Sequence, residues 1–372
     1  MQKIVFIICF VASIFFKDYV RAQLFCGTIF LSFFILMKFK ERFEWKLLLP
    51  CFYFLLQSIF FCFYPESQYL KYGNLAALSF NAINLEALLY FSGFLLILYF
   101  KDFFFKIFDK ALCWLAFADA CILLFQQNGI MQNYALDGSF IAIMFSRINF
   151  APVRFMENGY SKKLFFIDAL TLIIPTIAIL KNQASVVLGC FILMLSLYVF
   201  LSIKGKYKYA IPALIVSISW QWGILHLGPE LFHSTGRFEW WQIITKWFLH
   251  NADNYKMLFG FGPGSFYLFG PHIQSTLVAM REYGYFVNTH NEFLQIFFEF
   301  GLVGLLMAIL AIWGIWTRLR SERWQSAAFL SFLLLCLLYN PLRYFNLSIL
   351  GMYLVVGALR TKNNGEIYDT RG

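Results

Sequence analysis

The sequence HNEFLQIFFEFG, residues 290–301, places polar side chains at the start and along one face of an otherwise apolar helix. Glu292, Gln295 and Glu299 stand at helical positions i, i+3 and i+7, so they form one polar stripe. A carboxylate inside a membrane helix is costly unless it faces protein, water or a cation. His290 precedes the stripe, and an imidazole with an ordinary pKa of about 6.5 can accept a proton from a hydroxyl or bind a phosphate. These residues predict acid–base or phosphate chemistry at the start of the helix.

Most of the histidines lie in one segment, residues 228–290, which is the only long stretch between apolar runs. They are His233, His250, His272 and His290, with His226 at the edge of the segment. A single loop histidine is more often structural than catalytic, but this concentration favours a functional site. We therefore expect the chemistry of the protein in this segment, with Arg281 as a further candidate for binding substrate.

The sequence TGRFEWWQIITKWFLHN, residues 235–251, predicts an amphipathic helix. Its apolar side carries Trp241, Ile244, Trp247 and Phe248. Because tryptophan favours the headgroup region of a bilayer, we expect this helix to lie along a membrane surface. Arg237 in its first turn is positioned to bind phosphate, since a guanidinium group pairs with two phosphate oxygens. The alternative is a helix that serves only as an interfacial anchor.

The sequence GFGPGSF, residues 260–266, resembles a nucleotide-binding glycine loop only superficially. No strand precedes it and no Lys-Ser or Lys-Thr pair follows it, which excludes a nucleotide site. The glycines around Pro263 predict a tight turn whose bare backbone can approach another surface closely. Gly262 and Gly264 are candidate substrate contacts, and a purely structural turn is an equal alternative.

The composition predicts an all-α polytopic membrane protein. Hydrophobic residues make up 60% of the chain and charged residues 13%, whereas about a quarter of the residues in soluble proteins are charged. Apolar runs of roughly 15 to 25 residues recur, each long enough to cross a bilayer as a helix. We predict twelve spans near residues 4–16, 22–37, 47–64, 79–100, 111–125, 138–150, 164–180, 184–203, 209–227, 293–316, 325–339 and 345–359.

The net charge of +10 indicates topology rather than nucleic-acid binding. Most of the basic residues fall in loops that face one side if both chain ends are cytoplasmic, as the positive-inside rule requires. Three regions result: nine spans in residues 1–227, a periplasmic loop at 228–290 that carries the active site, and three spans with a cytoplasmic tail at 291–372. A cleaved signal peptide at the N-terminus is the alternative, which would leave eleven spans in the same orientation.

No metal site or cofactor site is expected from the sequence. All eight cysteines fall within predicted spans and none has CxxC spacing. The outer loops lack an Asp-x-Asp pair that could hold a divalent cation. Charge neutralisation is therefore expected from basic side chains.

In the HNEFLQIFFEFG sequence and the two motifs before it, the chain resembles the superfamily of O-antigen ligases and O-antigen polymerases. Members carry a histidine–asparagine start, a glutamate nine residues after the histidine, and glycines two and five residues further. The matching residues here are His290, Asn291, Glu299, Gly301 and Gly304. The TGR sequence and the GFGPGSF sequence match the large periplasmic loop of the family in the same order. The strong resemblance covers residues 235–304, and the rest of the chain matches in hydropathy.

The resemblance implies an inverting, metal-independent glycosyltransferase of the GT-C kind in the bacterial inner membrane, with its active site facing the periplasm. The implied donor is a glycan linked to undecaprenyl diphosphate. Arg237 would hold the diphosphate, and His290 would activate or orient the acceptor hydroxyl. The residues expected to contact substrate are Asn291, Lys181, Arg281, Gly262 and Gly264. The residues expected to support the site are Glu299, Gly301, Gly304 and Trp241.

One position departs from the family pattern. Members often have a Ser-Arg pair at the outer start of the eighth span, where this chain reads KNQAS, residues 181–185. Lys181 is the candidate to supply that charge, although a lysine lacks the bidentate geometry of an arginine.

The expected reaction is that of an O-antigen ligase, with lipid A-core as the acceptor. Two alternatives share the donor site: an O-antigen polymerase, whose acceptor is a lipid-linked glycan, and transfer to protein. A polysaccharide transporter that uses Glu86, Asp119 and Asp168 within its helices is an alternative of another class. The polar residues are concentrated in one outer loop rather than at the membrane midplane, which argues against a transporter. A non-enzymatic scaffold is the last alternative.

Overall fold

The computed structural model describes residues 101–125, 134–148, 162–181, 185–202, 237–275, 288–319, 323–343 and 350–358, with isolated helical positions near 49–57, at 213–217 and at 347. Every regular element within these ranges is a helix, which confirms the predicted all-α class for the described part of the chain.

Nine α-helices are defined in the described ranges. In chain order they are Lys101–Phe125 (α1), Tyr134–Ile148 (α2), Lys162–Lys181 (α3), Ser185–Ser202 (α4), Arg237–Asn251 (α5), Asn254–Phe259 (α6), Ser265–Ser275 (α7), Glu292–Leu319 (α8) and Arg323–Leu338 (α9). A 3-10 helix follows at Pro341–Arg343. Residues 350–358 are also helical.

Six of these helices coincide with predicted spans. They are α1 to α4, α8 and α9, which correspond to the fifth to eighth, tenth and eleventh spans. α1 begins ten residues before the predicted span, at Lys101, because KDFFFKIFDK continues its apolar residues at helical spacing. The first, second and fourth predicted spans lie outside the described residues.

Among the described helices, α8 alone is long and apolar enough to cross a membrane by length and composition. Shorter apolar helical stretches lie at Ala111–Phe125, Ala135–Phe145, Val186–Leu197 and Trp324–Leu338. The predicted count of twelve spans therefore stays a prediction.

The chain divides into two compact units. The first contains Met1–Lys101 and Arg237–Ile315, and the second contains Asp102–Gly236 and Trp316–Gly372. Within the second unit, α4 packs against α2 and α9, and α2 also packs against α3. α2 is buried without interruption from residue 135 to residue 145, so this short helix forms part of the core of its unit.

A kink interrupts α8 in the first unit. Gly301 has φ 65° and ψ −165°, which a residue with a side chain rarely adopts. The kink leaves nearby carbonyls without their usual helical partners, and each accepts a hydrogen bond from elsewhere. Phe261 N donates to Phe298 O (3.0 Å) and Gly262 N donates to Glu299 O (2.9 Å). The Tyr53 hydroxyl donates to the carbonyl of Phe300 (3.0 Å).

Two glycines allow the backbones to meet at this kink. A Cβ atom on Gly260 would lie 2.3 Å from the carbonyl carbon of Glu299, and one on Gly301 would lie 2.4 Å from the carbonyl carbon of Leu258. The backbone that approaches Gly301 is the end of α6. An added Cβ at Gly304 would lie 2.2 Å from the Cβ of Phe300 on the same helix.

Candidate active site at the start of α8

α5 confirms the amphipathic helix predicted for this segment. Trp240, Ile244 and Phe248 are buried, while Glu239 and Lys246 are exposed. The burial of Trp240, one position before Trp241, was not predicted from the sequence. The i, i+4, i+8 spacing of the apolar residues 240, 244 and 248 was the signal that could have identified it.

The buried side of α5 packs on protein. Its three buried residues belong to one core cluster with Phe261, Phe266, Phe269, Ile273 and Phe298. The ring of Phe298, on α8, lies 5.2 Å from that of Phe261 and 5.6 Å from that of Phe248, measured between centroids. The placement of this helix along a membrane surface stays a prediction, but the partners of its apolar side come from the glycine loop, α7 and α8.

The glycine loop, residues 260–266, is a buried turn. Gly260, Gly262 and Gly264 all have positive φ angles, of 77°, 102° and 73°, which confirms the predicted tight turn. The whole loop is buried, and the N–H of Gly262 is engaged by the carbonyl of Glu299. These contacts give Gly262 a structural role, and substrate contact at Gly262 and Gly264 stays a prediction.

A buried lysine supports this loop, and the sequence offered no signal for it. Lys256 on α6 is 5% exposed, and its ammonium lies 5.4 Å from the centroid of the Phe261 ring. Its Nζ also lies 3.7 Å from a carboxylate oxygen of Asp253. Asp253 in turn caps α6 by accepting a hydrogen bond from the Lys256 N–H. The cation therefore belongs to the packing beneath the loop.

Asn291 caps α8. Its side-chain oxygen accepts a hydrogen bond from Leu294 N (3.0 Å), as an N-cap asparagine does, and its carbonyl accepts one from Gln295 N (3.0 Å). This cap sets where the helix begins and therefore where His290 stands. The expected contact of Asn291 with substrate is not tested by these bonds.

His290 adopts a left-handed backbone conformation, with φ 53°. It is the one described residue other than glycine with a positive φ, and such residues cost energy unless their surroundings hold them. The backbone N–H of His290 donates to the side-chain oxygen of Asn288 (3.2 Å). Asn291 N donates to Thr289 Oγ1 (3.1 Å), and that hydroxyl donates to the carbonyl of Asn291 (2.5 Å).

Thr289 is held from two further directions, and the sequence analysis overlooked it. Trp241 Nε1 donates to the carbonyl of Thr289 (2.8 Å), which connects α5 to the start of α8. The N–H of Thr289 donates to the amide oxygen of Gln295 (3.3 Å). A hydroxyl residue two positions before a helix cap was the available signal, because such side chains bond to nearby backbone groups.

The polar stripe predicted on α8 is present and buried. Gln295 and Glu299 are 3% and 6% exposed, and Gln295 Nε2 donates to Glu299 Oε1 (2.7 Å). Glu292 is buried as well. The carboxylate of Glu299 therefore faces protein, which is the condition the sequence analysis set for an acid at this position.

Arg237 and His290 act on each other electrostatically. The pKa of His290 is lowered to about 4, first by burial and then by the positive charge of Arg237. The structure thus brings together the two residues that the sequence analysis placed at the centre of the site. At neutral pH the imidazole is uncharged, so it can accept a proton or a hydrogen bond, and it stands beside a permanent cation.

Lys181, Arg281 and three further histidines were also predicted candidates. Lys181 belongs to the second unit, where its Nζ donates to the carbonyls of Leu123 (3.3 Å) and Leu124 (2.8 Å) at the end of α1. That contact is a helix cap, so binding of substrate by Lys181 stays a prediction. Arg281 and His233 lie outside the described residues. His250 and His272 are exposed on α5 and α7.

Comparison with known proteins finds one matching family. Residues 164–309 match the family model described as O-antigen ligase. No curated protein and no solved structure matches the chain. The matched stretch contains Arg237, the glycine loop, His290 and the kink at Gly301. Residues 164–309 are thus similar to the O-antigen ligase family, and this match supports the O-antigen ligase and polymerase superfamily.

Proposed function

We propose that the chain is an O-antigen ligase, a membrane glycosyltransferase that moves a glycan from undecaprenyl diphosphate to a hydroxyl group of the lipid A-core. The family supports a reaction of the ligase or polymerase type. The observation that carries the proposal is the interaction of Arg237 with His290, because it puts a permanent cation next to a neutral base. A diphosphate leaving group and an acceptor hydroxyl require this pair of groups.

In the proposed reaction, one bond forms and one bond breaks at the anomeric carbon of the glycan. The acceptor oxygen attacks this carbon, and the bond from the carbon to the diphosphate oxygen breaks with inversion. The electron pair leaves with undecaprenyl diphosphate, whose negative charge Arg237 neutralises. The acceptor proton passes to the imidazole of His290.

Donor binding would also strengthen the base. The charge of Arg237 contributes to the low pKa of His290. A diphosphate bound at Arg237 offsets that charge and raises the pKa of His290 toward its ordinary value. His290 therefore becomes a stronger base in the loaded site, which ties activation of the acceptor to the presence of the donor.

The test of the proposed function is a lipopolysaccharide gel of a deletion strain of the source bacterium. Loss of all O-antigen with accumulation of lipid-linked polymer is expected, and the wild-type gene should restore the ladder. His290→Ala should fail to restore it. His250→Ala is the matched control, since His250 is exposed at the far end of α5, and it should restore the ladder in full.

Other results would identify the alternative functions or contradict the proposal. Cores that carry a single repeat unit would indicate a polymerase. Unchanged lipopolysaccharide with loss of a glycan from proteins would indicate transfer to protein. A His290→Ala protein that forms the glycosidic bond at the full rate after reconstitution would contradict the proposed catalytic role.

A further inference from the structure

We propose that Gln295 is a positioning residue that connects the carboxylate of Glu299 to the backbone of Thr289, the residue before the catalytic histidine. This inference rests on the proposed function, since it concerns how His290 is held for the transfer reaction. Gln295 is almost fully buried and makes hydrogen bonds with both of its amide atoms, one toward Glu299 and one toward Thr289.

Glu299 determines which way the amide of Gln295 faces. A carboxylate offers hydrogen-bond acceptors, so it is matched by the NH2 group of a glutamine and not by its oxygen. Gln295 Nε2 accordingly donates to Glu299 Oε1 at 2.7 Å. The two residues are four positions apart on α8, where side chains of one helix face meet. The acid thus orients the amide.

The oriented amide then holds the residue before His290. With Nε2 facing Glu299, the oxygen of Gln295 faces the N–H of Thr289 and accepts its hydrogen bond (3.3 Å). Trp241 holds the carbonyl of the same residue (2.8 Å). Both polar groups of the Thr289 backbone are therefore engaged by side chains from two helices.

Fixing Thr289 matters because the next residue is strained. His290 adopts a φ of 53°, which a histidine keeps only when neighbouring contacts require it. Without the bond from Gln295, the chain before α8 can relax toward ordinary φ angles and carry the imidazole away from Arg237. We call the hydrogen bonds that run from Glu299 through Gln295 to Thr289 the relay. The buried acid at position 299 has its role in this relay, which positions the imidazole of His290.

A charge-swap experiment tests the relay in full-length protein reconstituted with a glycan linked to undecaprenyl diphosphate. Gln295→Glu puts two carboxylates face to face with no donor between them, so they repel. We expect kcat to fall by about 10- to 100-fold, the cost of displacing a catalytic group by roughly 1 Å, with KM for the acceptor little changed.

The double variant Gln295→Glu with Glu299→Gln is the rescue. Its carboxylate at position 295 can accept from both the N–H of Thr289 and the new amide at position 299, so both bonds return. Most of the lost rate should be regained. Gln242→Glu is the matched control, since it makes the same chemical change at an exposed position on α5, and it should retain wild-type kcat.

Two results would overturn the relay: full activity of Gln295→Glu, or a swapped double variant as slow as that single variant although both melt like wild type. Wild type and His290→Ala are measured in the same assay. If wild type transfers no glycan or His290→Ala is fully active, the proposed function fails. If those two behave as expected and Gln295→Glu is unimpaired, only the role of Gln295 fails.

Discussion

At the residue scale, a histidine and an arginine from distant parts of the chain interact electrostatically. Burial and the charge of Arg237 both favour the uncharged imidazole of His290, whose pKa is lowered to about 4. A neutral histidine can accept a proton at any pH above that value, whereas an ordinary one is half protonated at a pH of about 6.5. The spacing of His290, Asn291 and Glu299 predicted a candidate site in the sequence, but no spacing rule predicts how a neighbouring charge shifts a pKa.

The pKa of His290 can be measured without an activity assay. Diethyl pyrocarbonate reacts with neutral imidazole, so the rate of modification at His290, read by mass spectrometry, should stay constant as the pH falls from about 7.5 to about 5.5. In Arg237→Gln the cation is gone, the pKa of His290 rises, and the rate should begin to fall at a higher pH. Arg237→Lys keeps the charge and is the control. A wild-type rate that halves near pH 6.5 would contradict the low pKa.

At the element scale, a break in one helix creates the support for the site. The kink at Gly301 leaves the carbonyls of Phe298 and Glu299 without helical partners, and N–H groups of the glycine loop donate hydrogen bonds to them. In a helix without this break, those carbonyls would accept hydrogen bonds from N–H groups of the same helix and would not be available to the glycine loop. The glycine loop and Gly301 were both predicted from the sequence, but as separate features. Nothing in the spacing of the residues shows that one segment of backbone packs on the other.

Replacing Gly301 tests this docking. Gly301→Ala forces an unfavourable positive φ and puts a Cβ 2.4 Å from the Leu258 carbonyl carbon, far inside the non-bonded contact distance of about 3.5 to 4 Å. We expect a loss of about 2 to 4 kcal/mol in the free energy of unfolding, seen as a lower Tm in detergent. Gly189→Ala on α4 is the control, since its added Cβ would meet its nearest atom at 3.9 Å. Equal Tm values for the two variants would contradict the close approach.

At the scale of the whole molecule, composition and charge make one topological prediction. A chain with 60% hydrophobic residues and its basic residues in short loops is expected to place residues 228–290 outside the cytoplasm. Six described helices occupy predicted spans, and α8 alone among the described helices is long and apolar enough to cross a membrane. The orientation of the loop is open to direct measurement.

Cysteine labelling in intact cells with a permeabilised outer membrane tests that orientation. In a cysteine-free background, Asn251→Cys, an exposed position at the end of α5, should react with a membrane-impermeant maleimide. Lys206→Cys, in a loop predicted to be cytoplasmic, should react only after the inner membrane is opened. The reverse pattern would place the candidate site in the cytoplasm and remove the proposed periplasmic donor.

Residue types and their spacing were sufficient to predict the helical class, the helix at 237–251 and the glycine turn. They also singled out Arg237 and His290 as candidates, and the fold makes these two residues interact electrostatically. These features depend on local periodicity and on side-chain chemistry, which a linear sequence records. The burial of Trp240, the strain at His290, the partner of Gly301 and the hydrogen bonds of Thr289 depend on contacts between segments far apart in the chain. Such contacts arise only when the backbone folds, because their geometry is set by packing in three dimensions and not by the order of residues along one helix.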